Sequence, residues 1–473
     1  MTINKKSLVC TLLYLLNSVI EYAYMTQIDD YSFALYIASC LIIWNICFQM
    51  IIWRFMGGHL VSPFMVFMYS SYLFHSGQII MTAIFPNEHF SYINYITVYM
   101  PNSNSVMKTL EIVVTCLNMI FLGGVMGTGI KSKKNFSIKK VYSRINISRQ
   151  GLLYVSKILM IIAIPFRLFI DIQSIVAAIF GGYYGAISVK YSGIIDAIAS
   201  FFYSAVILYY IGQENKKKRT HFLFVIVCYI LCVMLTGNRG HQIVCLLMLF
   251  VVISLENYRY NIKKIVFNIV LMYLALCFID VIYTMRELGI GYFLENLIEV
   301  LGQSLKTNIF FETIGSFGET IFTPYLVVEG LDNGTIDPKF GECFYKSLVS
   351  ILPSIGETMR RLNIEANFAK MLNSWSAIGG SIVGEMYYNF RELYWIFSIL
   401  IGILLSKISF KITNGIRENA YAVLLYSIPI FTNLLWWSRD SIGNAIRKIV
   451  WVCVCIWIIE KTMIRNNLYE KLD

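Results

Sequence analysis

Charge is what this sequence has least of. Aspartate, glutamate, lysine and arginine together make up only 14% of its 473 residues, where an ordinary soluble domain carries about 25%, so a water-solvated globule is excluded. Histidine numbers 5, scattered at positions 59, 75, 89, 221 and 241 with no HxxxH or HxxE spacing, so no metal site is expected. There are 11 cysteines, yet every one except Cys343 falls in an apolar run. A lone thiol outside those runs excludes a disulfide framework. No Walker loop, GxSxG elbow or dinucleotide fingerprint occurs, so no soluble cofactor or nucleotide energy source is expected. Internal repeats and low-complexity segments are also missing, and the paired inverted repeats of many secondary transporters with them.

What is there is apolar. Hydrophobic residues make up 57% of the chain and aromatics 15%, with a mean hydropathy of +0.64. The runs are continuous rather than alternating, and lipid offers no partners to free backbone groups, so the fold class expected is all-α, polytopic and membrane-embedded. Runs bounded by charge place spans at Leu8–Tyr24, Tyr31–Trp53, Val61–Ile84, Thr109–Ile130, Gly151–Ile170, Gly193–Gly212, His221–Leu235, His241–Leu255, Ile265–Tyr283, Leu393–Ile408, Asn419–Leu435 and Ile442–Ile459. About twelve transmembrane helices follow. Residues 1–283 hold nine of them, 284–391 form one long insert and 392–473 hold the last three and a tail.

Lysine and arginine accumulate on every second connection, as cytoplasmic connections require. Lys131, Lys133, Lys134, Lys139 and Lys140 follow the fourth span, Lys216, Lys217 and Lys218 the sixth, and Lys263 and Lys264 the eighth. The connections between are nearly free of them. Both termini are therefore expected in the cytoplasm and the insert outside. These clusters account for most of the formal net charge of +11, so it marks orientation in the membrane and not nucleic-acid binding.

An insert of this length exceeds a simple connection, and function is sought there and on the turns that share its side. One such turn, Thr236-Gly237-Asn238-Arg239-Gly240-His241, sets Arg239 between two glycines at the membrane boundary. A planar guanidinium suits a phosphate or diphosphate; the plainer reading is an arginine snorkelling to the surface. A second turn, Trp436-Trp437-Ser438-Arg439-Asp440, reads as a tryptophan-marked interface. Arg447 and Lys448 follow it inside the last span and need a partner, either a substrate anion or an acid on this or another helix. Arg286 lies at the exit of the ninth span, and Pro324 predicts a break within the apolar segment Phe310–Gly330, which carries Glu312, Glu319 and Glu329.

The third stretch, Ser374 to Phe390, reads as a helix leading into the tenth span, with Ser381, Glu385 and Asn389 on one face at i, i+4 and i+8 and Tyr388 beside them. Glu385 is the best-placed carboxylate for a general base, or for orienting an arginine; its plainer reading is a structural hydrogen-bonding glutamate.

The layout of spans, the turn Leu235-Thr236-Gly237-Asn238-Arg239-Gly240 and the stretch Gly379-Gly380-Ser381-Ile382-Val383-Gly384-Glu385-Met386-Tyr387-Tyr388-Asn389-Phe390 resemble the O-antigen polysaccharide polymerases, the Wzy-type oligosaccharide repeat-unit polymerases. The resemblance implies a glycosyltransferase of the bacterial inner membrane, active on its periplasmic side. It would move a growing glycan from undecaprenyl diphosphate onto the next lipid-linked repeat unit, in O-antigen or capsule biosynthesis. Lipid-linked oligosaccharides and membrane lipid are then the partners, with a flippase and a chain-length regulator of the same pathway beside it. Cations near the diphosphate and a base near the acceptor hydroxyl would suffice. Glu385 and Arg239 are the catalytic candidates, and Arg286, Arg439, Arg447, Tyr388 and Asn389 the candidates for binding diphosphate or sugar. Two other readings share the donor: an O-antigen ligase, and a flippase, which the long insert disfavours.

Overall fold

The structure, a computed structural model, describes residues 2–3, 5–86, 90, 92–131, 147–189, 191, 193–234, 236, 240–256, 302, 308–349, 351–352, 358 and 379–465. Eleven of the twelve expected spans fall on helices: α1 (Lys5–Met25), α2 (Tyr31–Phe55), α3 (Pro63–Ile84), α5 (Ser103–Gly129), α6 (Arg149–Ser188), α7 (Gly193–Gly212), α8 (Lys216–Met234), α9 (Gly240–Glu256), α14 (Tyr394–Glu418), α15 (Tyr421–Trp436) and α16 (Ile442–Arg465). The expected ninth span, 265–283, lies outside the described residues. Seven of the described helices are long and apolar enough to cross a membrane. Shorter helices complete the chain: α4 (Tyr95–Val98), α10 (Ile309–Phe317), α11 (Phe322–Asp332), α12 (Glu342–Val349) and α13 (Ile382–Phe390). The described strands are a two-residue pair, Thr2–Ile3 against Ile130–Lys131.

Several starts are written locally. Asp30 caps α2 by accepting from the Phe33 N–H at 2.6 Å. Ser62 caps α3, with Pro63 in the first turn where its missing N–H costs nothing. Ser148 caps α6 through the Gly151 N–H. Two stretches differ from expectation. The fifth span does not stop at Ile170 but runs on to Ser188: Asp171, read as a boundary charge, is buried against Arg167 one turn earlier, so it ends nothing. The helix expected from Ser374 onward begins only at Ile382, because Ser381 is its cap rather than a residue of its face; residues 374–378 lie outside the described residues. The break expected near Pro324 is present. A 3₁₀ turn, Gly318–Ile321, separates α10 from α11 just ahead of the proline.

The chain divides into two compact units. The first comprises Met1–Lys140, Ile314–Thr413 and Leu434–Arg447. Four of its helices are joined by a buried polar network around Glu21. Its carboxylate accepts from Asn45 at 2.8 Å and Asn118 at 2.6 Å, Tyr14 donates to Asn118 at 2.8 Å, and Gln49 donates to Tyr14 and Tyr72, each at 2.6 Å. In an apolar bundle such bonds fix which helix faces which.

The second unit comprises Val141–Thr313, Asn414–Asn433 and Lys448–Asp473. Arg149, at the start of α6, donates to the Ile211 and Gln213 carbonyls at the end of α7, where a cation complements the exposed carbonyl ends. Arg219 pairs with Glu256 and lies over the Tyr210 ring, 4.0 Å from its centroid. Deeper in the unit, the Asp171 carboxylate accepts from both Arg167 and Tyr229.

Candidate functional site

Of the site residues expected from sequence, Arg239 and Arg286 lie outside the described residues. Glu385, Tyr388, Asn389, Arg439 and Arg447 all belong to the first unit. There the structure joins Glu385 to the turn that carries Arg439.

The joining begins at Gly380. A Cβ on this residue would stand 2.3 Å from the Asp440 carbonyl carbon, so only glycine lets the two backbones meet. The next residue, Ser381, caps α13 by accepting from the Gly384 N–H at 3.1 Å. Its hydroxyl is also 2.7 Å from His75 Nε2. His75 Nδ1 lies 2.8 Å from the Ser71 carbonyl, which only accepts, so Nδ1 carries a proton. A neutral ring then accepts the Ser381 proton at Nε2, and both groups are satisfied although neither is exposed. This link anchors the start of α13 to α3.

One turn further on, Glu385 is wholly buried. Its carboxylate accepts from the Trp437 indole N–H at 2.6 Å and from the Ile442 N–H at 3.0 Å. Trp437 opens the 3₁₀ turn Trp437–Arg439 and Ile442 is the first residue of α16. Glu385 therefore grips both ends of the segment Trp437-Ser438-Arg439-Asp440-Ser441-Ile442. It also sets acceptor oxygens at the N-terminus of α16, where an unpaired helix N–H needs one. Trp437, read from sequence as an interface marker, is 1% exposed. Its N–H is the reason: it completes a buried acid.

Held in this way, Arg439 projects over the Phe74 ring, its guanidinium carbon 5.5 Å from the centroid. Its Nη2 is 3.9 Å from Glu319 Oε2 in the 3₁₀ turn before α11. The two side chains are 21% and 11% exposed, which sets them apart from Glu385. Asp440 accepts from the Ser441 N–H and from Asn444, completing the start of α16.

Asn389 and Tyr388 hold the insert. Asn389 Oδ1 accepts from the Cys343 N–H at 3.1 Å, in the first turn of α12, while its amide donates to the Glu385 carbonyl at 2.9 Å. The Tyr388 carbonyl accepts from the Lys339 backbone N–H at 3.2 Å, and its ring is buried. Under this cover the Cys343 thiol is pushed up to about 12, burial first and the nearby Glu385 charge second. Arg447 is half-buried on α16. α13 ends at Arg391, whose φ of 46° and ψ of −128° belong to a glycine-like conformation. Arg391 and Lys108 lie 5.9 Å and 5.8 Å from the Tyr387 ring centroid, and Lys108 pairs with Asp332 at 2.8 Å.

Lys448, the other cation expected to need a partner, has two in the second unit: His241 Nε2 at 2.8 Å and Asp196 at 3.3 Å. The sequence reading of an acid on another helix is right in kind. It missed His75, Phe74 and the pairing of Glu319 with Arg439, because these residues meet across more than a hundred positions and carry no local spacing. Among the described residues no three His, Cys, Asp or Glu side chains converge as metal ligands would.

An all-helical, multi-pass membrane protein with a guanidinium and an acid at an accessible turn is the class this arrangement defines. Residues 7–467, nearly the whole chain, match the family model described as "O-antigen polysaccharide polymerase Wzy", and the chain belongs to that family. No curated protein and no solved structure matches it. Membership makes it a glycosyltransferase-type polymerase acting on lipid-linked oligosaccharide repeat units in the membrane.

Proposed function

We propose that the protein transfers a growing glycan from undecaprenyl diphosphate to the next lipid-linked repeat unit, on the outer face of a bacterial inner membrane, with both its termini in the cytoplasm. The grip of Glu385 on both ends of the Arg439 turn carries the reading. A diphosphate leaving group needs a fixed cation more than a cofactor, and a turn held by a buried acid provides one without reorganising at the moment of reaction. In this reading Arg439 meets the diphosphate and Glu385 acts through it, as the residue that orients the arginine. Arg239, Arg286 and Arg447 are further cations for the anionic part of the substrate, and Tyr388 and Asn389 keep the insert closed over the turn. The alternating lysine and arginine clusters support the orientation.

Deleting the gene tests the function. The expected surface glycan is a lipid core bearing a single repeat unit, since elongation is lost while transfer of one unit persists. Loss of even that unit would replace this reading with a ligase or a flippase. Reporter fusions at Lys134, Lys217 and Asp332 test the orientation, with the first two expected inside and the last outside.

A further inference from the structure

A polymerase that joins two lipid-linked units holds two diphosphates at once, and the Arg439 turn accounts for one. A second group of cations lies across α13. Tyr387 follows Glu385 by two residues, about 200° round the helix, so its ring leaves α13 on the side away from the Glu385 carboxylate. Lys108 Nζ, near the start of α5, is 5.8 Å from the centroid of that ring, and the Arg391 guanidinium carbon is 5.9 Å from it. One carboxylate pairs with both. Asp332, the last residue of α11, accepts from Lys108 at 2.8 Å and 3.1 Å, and its Oδ1 stands 4.0 Å from Arg391 Nη1, beyond hydrogen-bond reach. Two more acids are close, Glu111 one turn along α5 and Glu392 next to Arg391. Among the described residues neither makes an ion pair with either cation.

Three further observations point to a ligand here. The Lys108 and Arg391 side chains are 37% and 32% exposed, so an anion can reach both. The Tyr387 side chain beneath them is buried, and its hydroxyl donates to no acceptor among the described residues. Arg391 holds a φ of 46°, where every residue but glycine is strained, so ending α13 would be better served by glycine and the strain is set against the placing of a guanidinium. The depth is also right. On the proposed orientation α5 and α14 run from this point toward the basic clusters inside, and Arg391 and Lys411 are twenty residues apart, about the length that crosses the hydrocarbon. The two cations therefore stand at the outer headgroup level, where a diphosphate on a lipid tail lies.

We propose that Lys108 and Arg391, set over the Tyr387 ring, form a second phosphate-binding site, which holds the diphosphate of the acceptor repeat unit while Arg439 holds that of the donor, with α13 as the wall between the two lipids. This rests on the polymerase reading and says where its second substrate binds. No bond forms or breaks at this site. It fixes the acceptor lipid, and Asp332 keeps the two cations in place until a diphosphate meets them.

The test uses the purified full-length protein in phosphatidylcholine nanodiscs, with a radiolabelled undecaprenyl-diphosphate-linked glycan of several units as donor and the lipid-linked single unit as acceptor. Arg391→Gly removes the guanidinium and relieves the backbone, so the melting temperature should hold or rise while KM for the acceptor rises about tenfold or more. Lys108→Gln should raise the same KM by about tenfold. KM for the labelled donor should stay within about threefold in both, because only one substrate loses a contact. An acceptor KM within about threefold of wild type in Arg391→Gly overturns the assignment, and so does a rise in the donor KM alone. If Arg391→Gly melts lower than wild type, Lys108→Gln decides on the same two KM values. A difference between wild type and variants that appears only when phosphatidylglycerol is added to the discs would give the site to ordinary anionic headgroups and overturn it as well. A wild-type protein that lengthens no glycan in this assay overturns the polymerase reading itself.

Discussion

Two buried acids, one in each unit, are satisfied in opposite ways. In the second unit Asp171 faces Arg167 and Tyr229, and charge meets charge inside one turn of α6. In the first unit Glu385 has no cation among its hydrogen-bond partners; an indole and a backbone N–H, fifty-two and fifty-seven residues away, satisfy its carboxyl group. The first arrangement neutralises a guanidinium within the unit. The second uses a buried acid to hold a segment whose own guanidinium is 21% exposed. A buried ion pair is weak evidence of function, whereas a buried acid that organises an arginine without neutralising it is a positioning device.

The sharpest way to break this contrast is Asp171→Ala. It leaves the Arg167 guanidinium buried without its partner and should cost about 3–5 kcal/mol of stability, read as a fall in the melting temperature of the detergent-solubilised protein. Transfer per folded molecule should not change. Glu385→Ala should behave differently. It orphans the Trp437 and Ile442 N–H groups, at about 1–3 kcal/mol each, and it also frees the Arg439 turn, so stability and kcat fall together. Glu385→Gln keeps one acceptor oxygen for those donors and should recover most of the stability; a variant as inactive as alanine but fully stable would make Glu385 the proton acceptor after all.

Arg439→Lys has a smaller expected effect. A point charge cannot reproduce the planar fork over Phe74, so transfer should fall by about 10- to 100-fold with the melting temperature unmoved. Normal transfer by the lysine variant would mean that only net charge matters at this turn. The smallest effect concerns Cys343. Its thiol, pushed up to about 12 in the folded protein from 9.0, stays protonated across the usual range, and the thiolate is the reactive form. Maleimide labelling between pH 7 and 9 should therefore be negligible, and Asn389→Ala, which uncovers the start of α12, should raise it. The sign for stability follows: above pH 9.0 the unfolded thiol ionises while the folded one does not, so this group's contribution is complete below 9.0 and is lost as pH rises toward 12.

Much of the helical framework was legible, because charge and caps punctuate it. Asp30, Ser62 and Ser148 start helices within a residue or two of where the apolar runs begin. The same rule failed at Asp171, since a charge that finds its partner one turn away inside the bundle looks, in one dimension, like a charge that ends a span. The site was legible only in part. Gly380 closes directly onto the Asp440 backbone, a contact that no local spacing announces. Sequence placed Ser381, Glu385 and Asn389 on one face. The fold turns them to three different partners, His75, Trp437 with Ile442, and Cys343. The role of Trp437 as donor to a buried acid was not legible, because an indole at a membrane boundary and an indole donating to a buried acid have the same sequence signature.

The Glu21 network bears on how the chain is made. As α1 leaves the ribosome and enters the membrane it carries Glu21 near its C-terminal end, on a span otherwise fit for lipid, and an ionisable group within a span is costly until it finds polar partners. Asn17 is available at once, and Asn45 arrives with α2. Asn118, which makes the shortest interhelical bond to the carboxylate, arrives only with α5, some hundred residues later. For the first part of synthesis α1 is therefore a poor lipid solute, better retained beside the insertion machinery than released. The first helices should enter the bilayer as a group, with α5 as the step that lets them go.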